Sequence, residues 1–260
     1  MAAVEFINYP FLLNTEPLQR AVTDPSRPIR PVLDKNILDA TGIRVLWWQP
    51  YGSNVLFSKG KDAGSPFSIQ GRKVRVHSES GGQFVRECGG NPVVISAAKQ
   101  KDALGSGEVE FVMTGAAGVE NRHLWQVADT ITRIESAPIE FLVGINEQAW
   151  QKLGPSRQAI FRDVAGDVEQ LLRDENSALE AAYYEFARQK GMKIVELRPD
   201  QLTDWRACSS PAADRFMDRH GEKGFYLMAA YGRLRTDPCC GGQQSATPQS
   251  SAIRPANARP

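Results

Sequence analysis

The sequence predicts an α/β fold, and three observations carry that prediction. Short apolar runs alternate with helix-like segments between Val74 and Met113, giving a β-α-β-α-β order. A further strand-length apolar run, Ile139–Ile145, reads as a strand returning to the part of the chain that precedes this unit. Residues 155 to 190 then carry apolar side chains at three- and four-residue spacing, which marks a long amphipathic helix.

The elements follow in order. A helix over residues 16 to 40 is interrupted by Pro25, Pro28 and Pro31, so its regular part is expected from Pro28 or Pro31 to Ala40, with Gly42 just past its end. Ile43–Trp48 is a strand. Tyr51–Phe67, rich in Gly, Ser and Lys, reads as an irregular crossing segment into a second lobe. Val74–His77 is a strand, and Ser80–Cys88 a helix ended by Gly89 and Gly90. Pro92–Ile95 is a strand, Ala97–Leu104 a helix stopped by Gly107, and Glu110–Met113 a strand. Trp125 and Val127 lie near a helical turn. Pro155 suits the first turn of the long helix and Gly191 its C-cap; the pattern alone also admits a coiled coil. Lys193–Leu197 reads as a strand, and Leu202–Arg219 and Phe225–Leu234 as helices. From residue 236 to residue 260 the chain has almost no large apolar side chain, and a disordered tail is expected.

Composition narrows the function. A chain of 260 residues can bury a real core, and the net charge of +1, without a dense Lys/Arg block, argues against a nucleic-acid partner. No apolar run reaches membrane-spanning length. The cysteines Cys88, Cys208, Cys239 and Cys240 make no metal pattern, and HExxH is absent, so no metal and no cofactor is expected. Cys208 is expected either to pair with Cys239 or Cys240, or to be, like Cys88, a small buried hydrophobe.

One residue stands out chemically. In Gly71–His77, Val74 and Val76 share one face of the strand, while Lys73, Arg75 and His77 share the other. Arg75 therefore leaves the strand near its C-terminal end, where open α/β sheets place ligands. Its guanidinium is a fork of donors matched to a carboxylate. The bland reading is an exposed strand arginine paired with a nearby acid.

The same stretch resembles a family. GRKVRV (Gly71–Val76), CGGNPV (Cys88–Val93) and ALGSGEVE (Ala103–Glu110) resemble, in that order, segments of the solute-binding subunit of tripartite ATP-independent periplasmic (TRAP) transporters, the DctP-type family. YPFLL (Tyr9–Leu13), GIRVLWW (Gly42–Trp48) and INEQAWQKLGPSRQAIF (Ile145–Phe161) agree with further segments. The likeness runs from about Phe6 to about Gly232.

The resemblance implies a two-lobed, type II-like periplasmic binding protein with a long interdomain helix. Residues 1–51 would be a partial first lobe and 52–137 the second lobe. Residues 138–235 would supply a return strand, the long helix and C-terminal helices, before the tail. Family members begin with a signal peptide and a first βαβαβ unit. Neither precedes YPFLL here, so an N-terminally truncated member is expected.

Such a protein closes on a small organic anion, usually a carboxylate, in the periplasm and delivers it to TRAP membrane permease subunits; the complete form would be a monomer. Arg75 falls on the family arginine that pairs with the ligand carboxylate. Thr114 falls where many members carry an asparagine, and Asn54 where some carry a second arginine. Glu110-Phe111 departs from the family's Asp-Gly, so the turn there is expected to differ. His77 stands two residues from Arg75 and is expected to line the cleft. Trp48 and Tyr51, with Trp47, are expected to supply an apolar wall, against the alternative that they are core. Two other readings are weighed. The chain would be an inert gene fragment, or a periplasmic enzyme with His77 activating Ser78, Ser80 or Cys88; no GxSxG or phosphate loop supports the latter, so no enzyme is expected.

Overall fold

The computed structural model describes residues 2–210 and 212–237. A helix over Ala2–Ile7 (α1), with no forerunner in the pattern reading, opens the chain. The proline-broken region is two helices, α2 (Glu16–Thr23) and α3 (Ile29–Thr41). Gly42 ends α3 with φ of 67°, a left-handed turn that favours glycine, and its N–H donates to the Leu38 carbonyl.

Strand β1 spans Ile43–Ser58, so residues 51 to 58 are strand and not the irregular crossing expected. Val55, Leu56 and Phe57 are all buried, because both faces of this stretch are covered. Gly52, with φ of 74°, sits where the register shifts between Pro50 and Ser53, so the kink is absorbed inside a continuous strand. Beyond it come β2 (Lys73–Val76), α4 (Glu79–Glu87), β3 (Asn91–Val94), α5 (Gln100–Gly105), β4 (Phe111–Gly115) and α6 (Gly118–Asn121). The β-α-β-α-β unit is thus present, and Leu124–Gln126 forms the helical turn near Trp125.

A strand missing from the sequence reading, β5 (Thr130–Arg133), has only Ile131 as an apolar residue. Its position between β1 and β7 (Lys193–Glu196), and not its composition, makes it a strand. Strand β6 (Pro138–Asn146) returns antiparallel to the first part of β1, and α7 (Glu147–Gln189) follows. Gly154 interrupts α7 with φ of 73°, so its long part starts at Pro155 as expected. The coiled-coil alternative falls: Ala165, Tyr184 and Ala187 of α7 are buried within this chain, and Tyr184 and Ala187 join the second lobe's core. Helices α8 (Pro199–Cys208) and α9 (Ala212–Thr236) complete the described residues. Nearly all of the expected tail lies outside them.

Two lobes result. The first packs α1, α2, α3 and α9 around Phe6, Leu13, Ile29, Leu33, Phe216 and Leu227. The second is the sheet in the order β3-β2-β4-β1-β5-β7, with β2 parallel to β3 and β4. One face of that sheet buries Val55, Phe57, Val112, Ile131 and Ala187; the other buries Leu56, Val74, Val76, Met113 and Trp205. Full burial of each valine, leucine, isoleucine, phenylalanine or methionine among them contributes about 1.5–3 kcal/mol. Strand β1 belongs to both lobes, and α7 grips it at the crossing: the Ser53 N–H donates to Glu180 Oε1 at 3.3 Å.

Two fasteners stand out. Arg30 of α3 donates to both oxygens of Glu169 on α7, at 2.9 and 3.3 Å, and Arg173 one turn on donates to Glu169 and to Glu140 of β6, at 3.0 and 3.2 Å. Burial pushes the Glu140 carboxyl above its usual range, and Arg173 pulls it back down. The second fastener is a disulfide. Cys208 pairs with Cys88, Cα atoms 5.1 Å apart, tying α8 to the end of α4. This corrects the expected pairing with Cys239 or Cys240, which lie outside the described residues. The true partner is 120 residues away, and only the packing of α4 and α8 on one sheet face brings the two together.

Candidate functional site

Parallel strands β3, β2 and β4 end side by side, and their carboxyl edge carries the unusual side chains. Arg75 of β2 is 2 % exposed. Its Nε donates to the Ile95 carbonyl at 2.8 Å, just beyond β3, and its Nη1 to the Met113 carbonyl of β4 at 3.0 Å. The rest of the fork, including all of Nη2, meets no protein acceptor, and no carboxylate pairs with Arg75 among the described residues. The reading of Arg75 as an exposed, acid-paired strand residue is therefore excluded. Burial, and then repulsion from the exposed Arg122 on the turn after α6, pushes its pKa down to about 10. The fold thus carries a buried cation that its own acids do not neutralise.

Asn54 stands on β1 opposite Gly115 of β4, and Arg75 stands opposite Val112. Asn54 is 4 % exposed; its backbone N–H donates to Ala137, but its side-chain Oδ1 is buried without a partner. It lines a narrow crevice with Asn8, Pro10, His77, Ser78 and Met113. The crevice holds about 10 Å³, room for a single water, so an organic acid enters only if the lobes part. The N-terminus of α4 opens onto it, capped by Ser78, whose Oγ accepts from the Gly81 N–H at 3.2 Å. That helix end adds partial positive charge to the same place.

His77 is exposed, yet desolvation first and the Arg75 charge second push its pKa below the usual histidine value. An accessible ring amid dense protein describes a cleft wall, and it stays neutral at neutral pH. Thr114, three-quarters of the way along β4, follows Val112 on the Arg75 side of the sheet, and its methyl packs where Gly118 opens α6: a Cβ on Gly118 would stand 3.1 Å from Thr114 Cγ2. Tyr51 packs its ring on Phe141 at 4.8 Å and passes close over Gly115, where a Cβ would stand 3.0 Å from its carbonyl. Tyr51 therefore lies beside the end of β4.

Trp48 does not join them. It is buried in the first lobe's core, its indole N–H donates to Asp34 at 2.8 Å, and Arg30 stacks over its ring. The structure thus gives Trp48 the packing role that had been the alternative. Glu110, in place of an aspartate, pairs with Lys61 and Arg72, and Phe111 fills the core under Val74, which is why the bulky residue is tolerated in that turn.

The nucleophile reading finds no geometry. Cys88 is disulfide-bonded, and the Ser78 hydroxyl engages Gly81 and Ser80. His77 bonds to neither serine. One residue of the site had no signal in the sequence: Gln100, at the start of α5, is 1 % exposed with its Oε1 unpartnered, and its Nε2 lies 3.9 Å from the same Gly118 position that Thr114 faces. A glutamine between two lysines reads as surface, and only the docking of α6 buries it.

The model of the bacterial extracellular solute-binding proteins, family 7 (DctP), matches residues 2–220. No curated protein matches by sequence. Among solved structures, a Bordetella pertussis extracytoplasmic solute receptor binding pyroglutamic acid superposes with a TM-score of 0.81 at 19% identity, covering 88% of this chain and 75% of that one. The periplasmic ectoine-binding protein of the TeaABC TRAP-transporter of Halomonas elongata gives 0.81 at 16% identity, with 89% and 75% covered. A TRAP periplasmic solute binding protein of Chromohalobacter salexigens with bound D-glucuronate gives 0.79 at 19% identity, with 88% and 75% covered.

Proposed function

The chain belongs to the bacterial extracellular solute-binding proteins, family 7, and from that premise we propose that it captures a small organic acid in the periplasm for the membrane permease of a TRAP-type transporter. The observation that carries this reading is Arg75: a buried guanidinium at the carboxyl edge of parallel strands, half of it held by main-chain carbonyls and half left open. A charge-assisted bidentate pair to a carboxylate would complete it. The two carbonyls fix the fork in direction, so little ordering cost remains when the ligand docks. Among the similar structures, two hold or bind an acid, pyroglutamate and glucuronate, and one binds ectoine, which fits an anionic solute without naming it.

The remaining groups have supporting parts. Thr114 and Asn54 would hydrogen-bond the solute, Tyr51 would offer an apolar wall, and the neutral His77 would border it. Opening and closing would turn on β1 and α7, the elements that join the lobes. No helix among the described residues is long and apolar enough to cross a membrane, so the membrane step would belong to a partner.

Thermal-shift and calorimetric titration with a panel of mono- and dicarboxylates tests the proposal. At least one acid should raise the melting temperature of the full chain in a concentration-dependent way, as binding to the folded state requires. The reading fails if none does, or if uncharged esters of the same acids bind equally well.

A further inference from the structure

We propose that Glu180 is the latch of the hinge between the lobes: its carboxyl, seated in the notch that Gly52 leaves in β1, holds the lobes together when it carries a proton and lets them part when it does not. This deepens the solute-capture reading by naming what regulates access to the crevice, and it rests on that reading's two moving lobes.

The hinge lies between two rigid flanks. On the first lobe's side α7 holds β1: the Trp48 N–H donates to Glu169 at 3.2 Å, and Arg173 donates to the Trp48 carbonyl at 3.2 Å. On the second lobe's side Val55 and Phe57 of β1 share one core with Tyr184 and Ala187 of α7. Motion between the lobes falls on what lies between, residues 49 to 54 of β1 and 174 to 183 of α7. There the β1 register breaks between Pro50 and Ser53, and Gly52 takes φ of 74°. The return crossing is bent as well: Glu135, between β5 and β6, has φ of 44°, a costly value for a residue with a Cβ. The Asn54 N–H ties the two crossings together by donating to the Ala137 carbonyl at 2.9 Å.

Glu180 enters this gap from α7. Its Oε1 accepts from the Ser53 N–H at 3.3 Å, and a Cβ on Gly52 would stand 2.8 Å from the same oxygen. The missing side chain at position 52 is thus what makes room for the carboxyl. The charged groups around it come from three elements: Arg133 of β5, Glu135 of the turn after it, and Tyr184 one turn on along α7. Arg133 is shared, since it donates to Glu135 at 2.9 Å and to Glu196 at 2.8 Å and lies 4.5 Å over the Tyr184 ring, so little of its charge is left for Glu180. Glu120 of α6 lines a groove with Leu179 and Tyr183 on another flank of α7, and Glu180 does not line that groove.

Proton and motion are coupled through burial. Desolvation, the largest influence, raises the Glu180 carboxyl above its ordinary range; the Ser53 bond opposes this, Glu135 adds to it, and Arg133 and Tyr184 oppose it, with a net rise. Bending β1 away from α7 at Gly52 lets water reach the carboxyl and returns it toward its ordinary value. The lobes-together form therefore holds the proton more tightly than the parted form. That preference is full below about pH 4.3, the ordinary glutamate value, and is lost as pH rises through the raised one. His77 acts with the opposite sign: its ring is held below its ordinary value while the lobes are together, so acid acting there favours parting.

The test measures lobe separation in the full chain with no solute added. Spin labels are placed at exposed positions of α3 and α5 through Lys35→Cys and Asp102→Cys, with Cys239→Ser and Cys240→Ser, and the distance distribution is recorded at about pH 5.5 and about pH 7.5. The ratio of long to short distances should rise about threefold or more with pH, the response to half a pKa unit. Glu180→Gln, neutral throughout, should keep the short distance at the higher pH and lose the response. Glu180→Ala, which removes the grip on Ser53, should favour the long distance at both. A distribution that does not change with pH when Glu180 is present overturns the inference, as does a Glu180→Gln chain that responds as fully as one with Glu180. Where one variant loses its cooperative melt, the other and the Glu180 chain decide. The carboxylate reading is judged separately by the titration panel: pH-blind lobes in a chain that binds an acid remove the latch alone, and pH-responsive lobes in a chain that binds none remove solute capture alone.

Discussion

Two places in this molecule bury arginine, and they treat it oppositely. Arg30 and Arg173, 3 % and 8 % exposed, sit where α3, β6 and α7 meet, and each donates to buried carboxylates. Arg75, 2 % exposed, donates only to two carbonyls and meets no acid. Desolvation is comparable in the two places, so the difference lies in what compensates it. The first cluster is closed in charge: Glu169 takes Arg30, Arg173 and the Trp48 N–H, so its cations are answered by acids of the same fold. The second is open: no acid among the described residues answers its charge. A buried charge paired within the fold marks structure, and one left unpaired at a strand end marks a site.

The largest expected effect breaks the closed cluster. Arg173→Met strips Glu140 and Glu169 of a partner and leaves acids buried. Removing one member of such a pair costs about 3–5 kcal/mol, and for a chain of this size each kcal/mol lowers the melting temperature by about 2–4 °C. Calorimetric melting should therefore show a fall of about 10 °C. A melt within about 2 °C of the unaltered chain would mean the network is solvated and the contrast false.

The next effect reverses the pattern. Arg75→Met should leave the melt unchanged or raise it, since no acid is orphaned and a desolvated charge is removed. It should nevertheless weaken carboxylate binding by about 2–5 kcal/mol. Arg75→Lys should also weaken binding, because a point charge cannot replace a fork held by two carbonyls. Equal affinity in titrations of Arg75→Met and the unaltered chain would remove Arg75 from the site.

Much of this contrast was legible in the sequence on one side only. The alternation of valines placed Arg75 at a strand end, and the turn glycines marked the helix and strand stops around it. The closed cluster was not legible, because Arg30, Glu140, Glu169 and Arg173 come from three elements whose docking no local pattern encodes. For the same reason Trp48 read as either wall or core, Gln100 as surface, and Cys208 as either a partner of Cys239 or Cys240 or a small buried hydrophobe. The strand at Thr130–Arg133 was invisible since its polar residues are satisfied only by the strands on either side.

The disulfide supplies a sharper test of the open region. It clasps α4, whose first turn borders the crevice, to α8, and it closes a loop of 120 residues. Cross-links of this kind contribute about 2–4 kcal/mol. Reduction, or Cys88→Ser with Cys208→Ser, should lower the melt and raise amide exchange along α4 and α8 while leaving exchange in α3 and the middle of α7 unchanged. Uniform loosening of both regions would show that the two lobes melt as one unit and that the comparison has no separable halves.

The smallest effect concerns His77 and depends on pH. Its folded pKa lies below the ordinary histidine value because burial and Arg75 both oppose a second charge at the open edge. The unfolded chain therefore takes up the proton more readily than the folded one. Stability is fully present above about pH 6.5, the unfolded value, and is lost as pH falls through the depressed folded value. The ring is accessible to water, so screening keeps the loss small, about 1–2 °C in the melt between neutral pH and pH 5. His77→Gln should flatten this part of the profile without changing the melt at neutral pH. If both proteins lose stability in parallel, the His77 ring is not held below its ordinary value in the folded chain. Because desolvation is the larger cause and the Arg75 charge the smaller, an acid paired with that arginine would weaken the effect without abolishing it.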